Sequence, residues 1–382
     1  MFFHQACRAV WTAFTAIVIP FGNKEKVCCG YKRRSAITAL AIWAFLAIYP
    51  ISKAPAAPTK SPDMEPWGQL RDADLRLASL VYRLAIANNA LCDSHESETG
   101  MVIQTLDQFP RDLRLQARAA FHFETPVIVE AVVDDSPSKV AGIQPGDGIE
   151  MVNGQSLTDS STNVAPSTAT RDNAENALSK LPSGETATVK LARNGVHFNL
   201  QFVPRESCSV RSELVTDSGF GAQSDDQRIQ IGIDYLARFD NDDIAALVAH
   251  ELAHIILQHT KRLEAQGVHR GLIEEFGRNA CKIREAENEA DRFSIWLLAN
   301  AGFDPSIAPK FWRGKGRSIS GRIFKSSTHD SAMRRADAMD DQINLTVRNR
   351  LDISTETTEK FFSLLTSTAC SGTAKAASDK GK

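Results

Sequence analysis

Asp240-Asn241-Asp242-Asp243-Ile244-Ala245-Ala246-Leu247-Val248-Ala249-His250-Glu251-Leu252-Ala253-His254-Ile255-Ile256 is the stretch that decides how this chain reads. Ile244, Leu247, Val248, Leu252, Ile255 and Ile256 recur near helical spacing, which predicts a helix. The acids at its head suit a helix start, by capping free amides and by meeting the positive end of the dipole. His250 and His254 are four residues apart and share a face, so both imidazoles can reach one ion. In this pattern Glu251 reaches water at the ion rather than the ion itself. The alternative is a surface helix that happens to carry two histidines. Small and apolar neighbours weigh against it, because a buried glutamate needs a partner.

A zinc site also needs a third protein ligand and an open position. Glu287-Asn288-Glu289-Ala290-Asp291 opens a further apolar-periodic run that stops at Gly302, with Asp304-Pro305 beyond. Glu287 and Asp291 share a face of that helix. HExxH followed by E-x-x-A-D resembles the zinc-metallopeptidase family M48, over roughly residues 70–92 and 209–345. The resemblance implies one Zn²⁺ per chain held by His250, His254 and Glu287, with Glu251 as general base. It implies that Asp291 orients a ligand histidine. The family's Ser-Thr-His-Pro element reads Ser327-Thr328-His329-Asp330 here, with Arg335 six residues after His329. His329 is thereby implied to face the site, as oxyanion donor or as a gate over the metal, and Arg335 to brace nearby acids. Ile229-Gln230-Ile231-Gly232-Ile233 matches the strand ahead of the family's zinc helix. Gly221 stands where the family has an asparagine on its substrate-pairing edge.

Between those blocks the chain changes character. Val127–Val129 and Ala131–Val133 are strand-like, and Asn173–Lys180 reads as a helix. Thr186–Ala192 and His197–Val203 flank the turn Arg193-Asn194-Gly195. Ser136-Pro137-Ser138-Lys139-Val140-Ala141-Gly142-Ile143-Gln144-Pro145-Gly146-Asp147 and the Asn153-Gly154 turn resemble a bacterial PDZ domain over residues 118–205. Such domains take a peptide as an added strand. The candidate for the family's carboxylate-binding loop is Phe121–Pro126, although Pro126 lacks an N–H and Glu124 repels a carboxylate. Together the two resemblances imply an α+β chain. Its mainly helical, zincin-like domain carries a small edge-strand sheet and an inserted PDZ domain, itself a small β-barrel or sandwich. Cys92 and Cys208 bracket that insert and are candidates for a disulfide, with Cys281 and Cys370 as a second pair.

The 382 residues suit two or three domains. The chain is 43% hydrophobic and 24% charged, with net charge −2, which excludes disorder throughout and a polytopic membrane protein. No basic region suits nucleic acid. Lys24, Lys26, Lys32, Arg33 and Arg34 precede an apolar run over 36–51 and a Pro/Ala-rich linker over 52–69. Residues 1–51 therefore read as a leader, either a cleaved secretory signal or a single inner-membrane anchor. Both place the rest outside the cytoplasm, in the periplasm. Residues 371–382 read as a disordered tail. Taken with the resemblances, the expected function is zinc-dependent endopeptidase action on misfolded or unassembled envelope proteins, with the PDZ domain binding or regulating. The alternative is a PDZ adaptor or holdase with a silent or structural zinc.

Overall fold

The computed structural model describes residues 65–157, 165–217, 219–268, 278–319 and 330–349. The leader, the run 36–51, His329, Cys370 and the tail 371–382 lie outside the described residues. Among the described residues no helix is long and apolar enough to cross a membrane.

Helix α1 (Glu65–Ala87) begins inside the stretch expected to be linker. Strands β1 (His95–Glu98) and β2 (Met101–Thr105) follow, then α2 (Arg114–Phe121), β3 (Val127–Val132) and α3 (Pro137–Val140). Next come β4 (Gly148–Val152), β5 (Gln155–Ser156), α4 (Ala169–Ser179), β6 (Ala187–Arg193), β7 (Val196–Phe202) and β8 (Arg205–Cys208). The third stretch holds β9 (Arg211–Val215), β10 (Ala222–Ser224), β11 (Arg228–Gly232), α5 (Ile233–Arg238) and α6 (Asn241–Ile256). It ends with α7 (His259–Ala265), α8 (Arg278–Asn300), α9 (Ile307–Arg313) and α10 (Ala332–Asn349). The chain thus mixes helix and sheet.

Strands β2, β3, β4, β6 and β7 lie side by side in that order, and β5 pairs with β4. The sheet therefore reaches back to Met101, outside the expected span 118–205. Asn194 (φ 52°) and Gly195 (φ 74°) supply the left-handed turn that lets β6 and β7 pair in register from Ala187–Phe202 to Arg193–Val196. Ile103, Val127, Val129, Ile149, Val189 and Leu191 fill the core under that sheet, closed by Ala174 and Leu178 of α4.

A second core gathers around α6, whose Ile244, Leu247, Val248 and Leu252 are almost fully buried, with α1, α8 and α9 packed on that helix. The Asp240 side chain accepts the Asp243 N–H at 3.0 Å, and Asp243 accepts the Asp240 N–H at 3.1 Å. This reciprocal cap starts α6, with caps of this kind contributing about 1 kcal/mol. Lys315 bridges both acids, and Arg313 pairs with Asp337 and Asp340. These pairs tie Arg313 and Lys315 to the head of α6 and to α10.

α1 belongs to both regions. Leu77, Leu80, Val81 and Leu84 join the core around α6. Trp67 and Leu70 join a small aromatic cluster with Phe109, Phe121 and Phe123. Strands β1 and β8 form a two-stranded ribbon, and Cys92 and Cys208 are disulfide-bonded at its root, with Cα atoms 5.5 Å apart. Cys281 is disulfide-bonded as well.

Candidate functional site

α6 presents His250 and His254 toward Glu287 of α8. His250 Nε2 lies 3.2 Å from His254 Nε2 and 3.2 Å from Glu287 Oε2, and His254 Nε2 lies 3.5 Å from the same carboxylate oxygen. Three ligands at 2.0–2.1 Å from one tetrahedral ion stand about 3.4 Å from each other. The triangle of donor atoms has that size. His250, His254 and Glu287 form the metal-sized cluster found among the described residues.

The outer nitrogens explain which way the rings face. Asp291 Oδ1 lies 3.0 Å from His250 Nδ1. His259 Nδ1 lies 2.8 Å from His254 Nδ1, and His259 Nε2 lies 3.1 Å from Glu289 Oε2. Read as a network, Asp291 and Glu289 each accept a ring N–H. His259 then accepts the Nδ1 proton of His254. With both imidazoles neutral, His250 and His254 are left with bare Nε2 atoms whose lone pairs face each other. Such lone pairs repel unless a cation sits between them, so the donor set fits Zn²⁺.

Burial opposes charge on His259 and lowers its pKa to about 4, so it stays neutral and can accept. Burial also opposes charge on His250, but Asp291 and Glu287 outweigh it and raise that pKa to about 9. A metal ion at Nε2 would displace the proton they favour. Asp291 is fully buried, which disfavours its charge, yet Arg335 outweighs burial and holds it down to about 2. The guanidinium grips Asp291 through Nε at 2.7 Å and Nη2 at 2.6 Å, and it lies 3.5 Å over the Trp312 ring. Arg335 therefore braces Asp291. His329 is not placed, because it lies outside the described residues.

Glu251 is buried beside this triangle and accepts the Ser224 hydroxyl at 2.8 Å. Ser224 is the last residue of β10, an outer strand of the sheet ordered β10–β11–β9. Gly232 lets β11 close on the lead into β10, since a Cβ there would sit 2.3 Å from the Phe220 carbonyl oxygen. The Glu251 carboxylate and an outer strand of the sheet are thus hydrogen-bonded neighbours.

Sequence reasoning missed His259, Glu289, Ser224 and Arg262, which pairs with Glu289 at 2.7 Å. His259 is five residues from His254, outside helical register. Gln258 breaks the helix with φ 50°, and that turn brings His259 back.

The expected carboxylate loop at Phe121–Pro126 is corrected. Phe121 and Phe123 are core residues, and Glu124 accepts the Gly195 N–H. The free edge with a groove is β2. A cavity of about 1010 Å³ lies between β2 and α4, closed by α1 and β9.

No family model matches the chain, and no curated protein matches it. Solved structures do. An HtrA-type protease, AlgW with a decapeptide, is 21% identical at TM-score 0.23, over 29% of this chain and 30% of that one. The HtrA3 PDZ domain bound to a phage-derived ligand is 23% identical at TM-score 0.22, over 29% of this chain and 88% of that one. A serine endoprotease from Yersinia pestis is 29% identical at TM-score 0.16, over 21% and 25%. This chain thus spans about 30% of the length of AlgW. At such scores the likeness assigns neither family nor activity.

These results correct the assignment to M48 and the enzyme class taken from it. The neighbours named are HtrA-type serine proteases and a PDZ domain, and no family model supports a zinc metallopeptidase. The reason is physical. Two five-residue motifs fix local geometry on a pair of helices, and local geometry recurs on unrelated folds. What stands is the geometry itself.

Proposed function

We propose that this protein binds a divalent cation, Zn²⁺ by the chemistry of its donors, and hydrolyses peptide bonds beside it. The observation that carries the proposal is the triangle of His250 Nε2, His254 Nε2 and Glu287 Oε2, with Glu251 buried next to it. Bound there, Zn²⁺ would supply Lewis acidity toward a carbonyl and acidify water.

The chain's own residues do the rest. β10 offers an outer edge on which an extended substrate can pair as a further strand. Ser224 holds the Glu251 carboxylate in one orientation. Glu251 takes a proton from the attacking water and returns it to the departing amine. Asp291, with Arg335 behind it, keeps His250 turned inward, and His259 does the same for His254.

The six-stranded sheet with α4 is read as a PDZ-type peptide groove along β2. The substrates are proteins or peptides in extended form, such as unassembled envelope proteins. The Cys92–Cys208 bond accords with an exported, oxidising location.

The test is metal content and casein cleavage by the purified full chain. One zinc per chain, with cleavage abolished by a chelator and restored by Zn²⁺, is the expected result. Cleavage that survives chelation with zinc gone refutes it. Peptide binding without any cleavage would favour the adaptor reading.

A further inference from the structure

The turn ahead of β2 has a feature that a peptide groove does not need for its own folding. Glu98 Oε1 accepts the N–H of Thr99 at 2.9 Å and the N–H of Gly100 at 2.8 Å. Thr99 Oγ1 accepts the next one, from Met101, at 3.2 Å. Three successive amides at the head of a free strand edge are filled by side chains of the same turn. Gly100 is required there: its φ is 78°, and a Cβ would lie 2.1 Å from Ser136 Cβ. Its carbonyl accepts from Val133, and that of Thr99 from Ser138, so the turn is fixed from behind.

Successive backbone N–H groups in such a turn form a nest for an anion. Grooves that capture a free carboxy terminus place its carboxylate in a nest of this sort. We propose that Glu98 is a tethered carboxylate occupying that nest, so that the β2 groove accepts internal extended segments and rejects free carboxy termini. The proposal rests on reading the cavity along β2 as a peptide groove. The electrostatics agree. Burial above all, with Glu96 and Glu175 adding to it, pushes the Glu98 carboxyl up to about 7. A second, ligand-borne carboxylate would enter that negative field. The cavity is long enough to hold a segment that continues past the turn, because its lining runs from Glu96 through β2 to Phe109.

The test uses full-length protein carrying Glu251→Gln, so that bound peptide stays intact. The probe is an array of overlapping casein decapeptides, each synthesised with a free and with an amidated carboxy terminus. Protein with Glu98 intact should show no preference for the free carboxylate, binding each amidated peptide at least as tightly as its free-acid form. Glu98→Ala should favour the free carboxylate at least tenfold. Glu98→Gln retains an acceptor oxygen and should behave like the parent. A tenfold preference for free carboxylates with Glu98 intact overturns the proposal without any Glu98 variant having to fold. So does a Glu98→Ala protein, folded by circular dichroism, that gains no preference. Absence of binding to every peptide by every variant instead overturns the groove reading beneath it.

Discussion

His259 Nδ1 sits 2.8 Å from His254 Nδ1, and the opposite face of His259 is held by Glu289. A residue outside the triangle of donor atoms thus sets which nitrogen of His254 points into it. His259→Phe should keep the fold and lower zinc affinity by roughly 10–100-fold. Competition against a fluorescent zinc chelator measures it, and unchanged affinity would remove His259 from the network.

Glu251→Gln should retain zinc and reduce casein hydrolysis by roughly 10²–10⁴-fold. Ser224→Ala removes only the hydroxyl that orients Glu251, and its loss should be clearly smaller. Equal losses in the two variants would contradict the division of roles.

Asp291 titrates near 2 in the folded chain, against an unfolded value of 3.8. Its stabilising effect is therefore complete above about pH 4 and is lost as pH falls toward 2. Urea midpoints should drop through that window. Arg335→Met removes the guanidinium that pairs with the buried Asp291 carboxylate and should cost about 3–5 kcal/mol at neutral pH. A variant within about 1 kcal/mol of the parent would show that the pair is not a stabilising element.

The Cys92–Cys208 bond spans 116 residues of sequence. In the chain-entropy account a loop of that length contributes about 5 kcal/mol. Cys92→Ser should lower the melting temperature, and a thiol reagent should label neither cysteine in the parent protein before reduction. Free labelling of Cys92 in denatured, unreduced protein would refute the bond.

The elements with strong periodicity were legible in the sequence. The α6 pattern, the i,i+4 histidines and the β6–β7 hairpin each have a local cause that a reader can see. What was hidden depends on tertiary return. His259 reaches His254 only because Gln258 turns the chain, and Ser224 reaches Glu251 only because β10 folds against α6. Thr99-Gly100 went unread because its partner, Ser136, lies 36 residues on. The M48 assignment shows the converse: residues can carry a local site without carrying a family.

Asn88, just past α1, donates to the carbonyl of Leu297, 209 residues later. At synthesis speeds of about 5–20 residues per second, that partner is made about 10–40 s after Asn88. The strands β2 to β7 are contiguous and can close meanwhile, with Trp67 already docked on Phe109 and Phe121. The opposite, leucine-bearing face of α1 is covered only as β9, α6 and α8 emerge in turn. Until they do, the nascent chain carries a partly uncovered apolar helix, the kind of surface on which chaperones act and at which a stalled or truncated chain would aggregate.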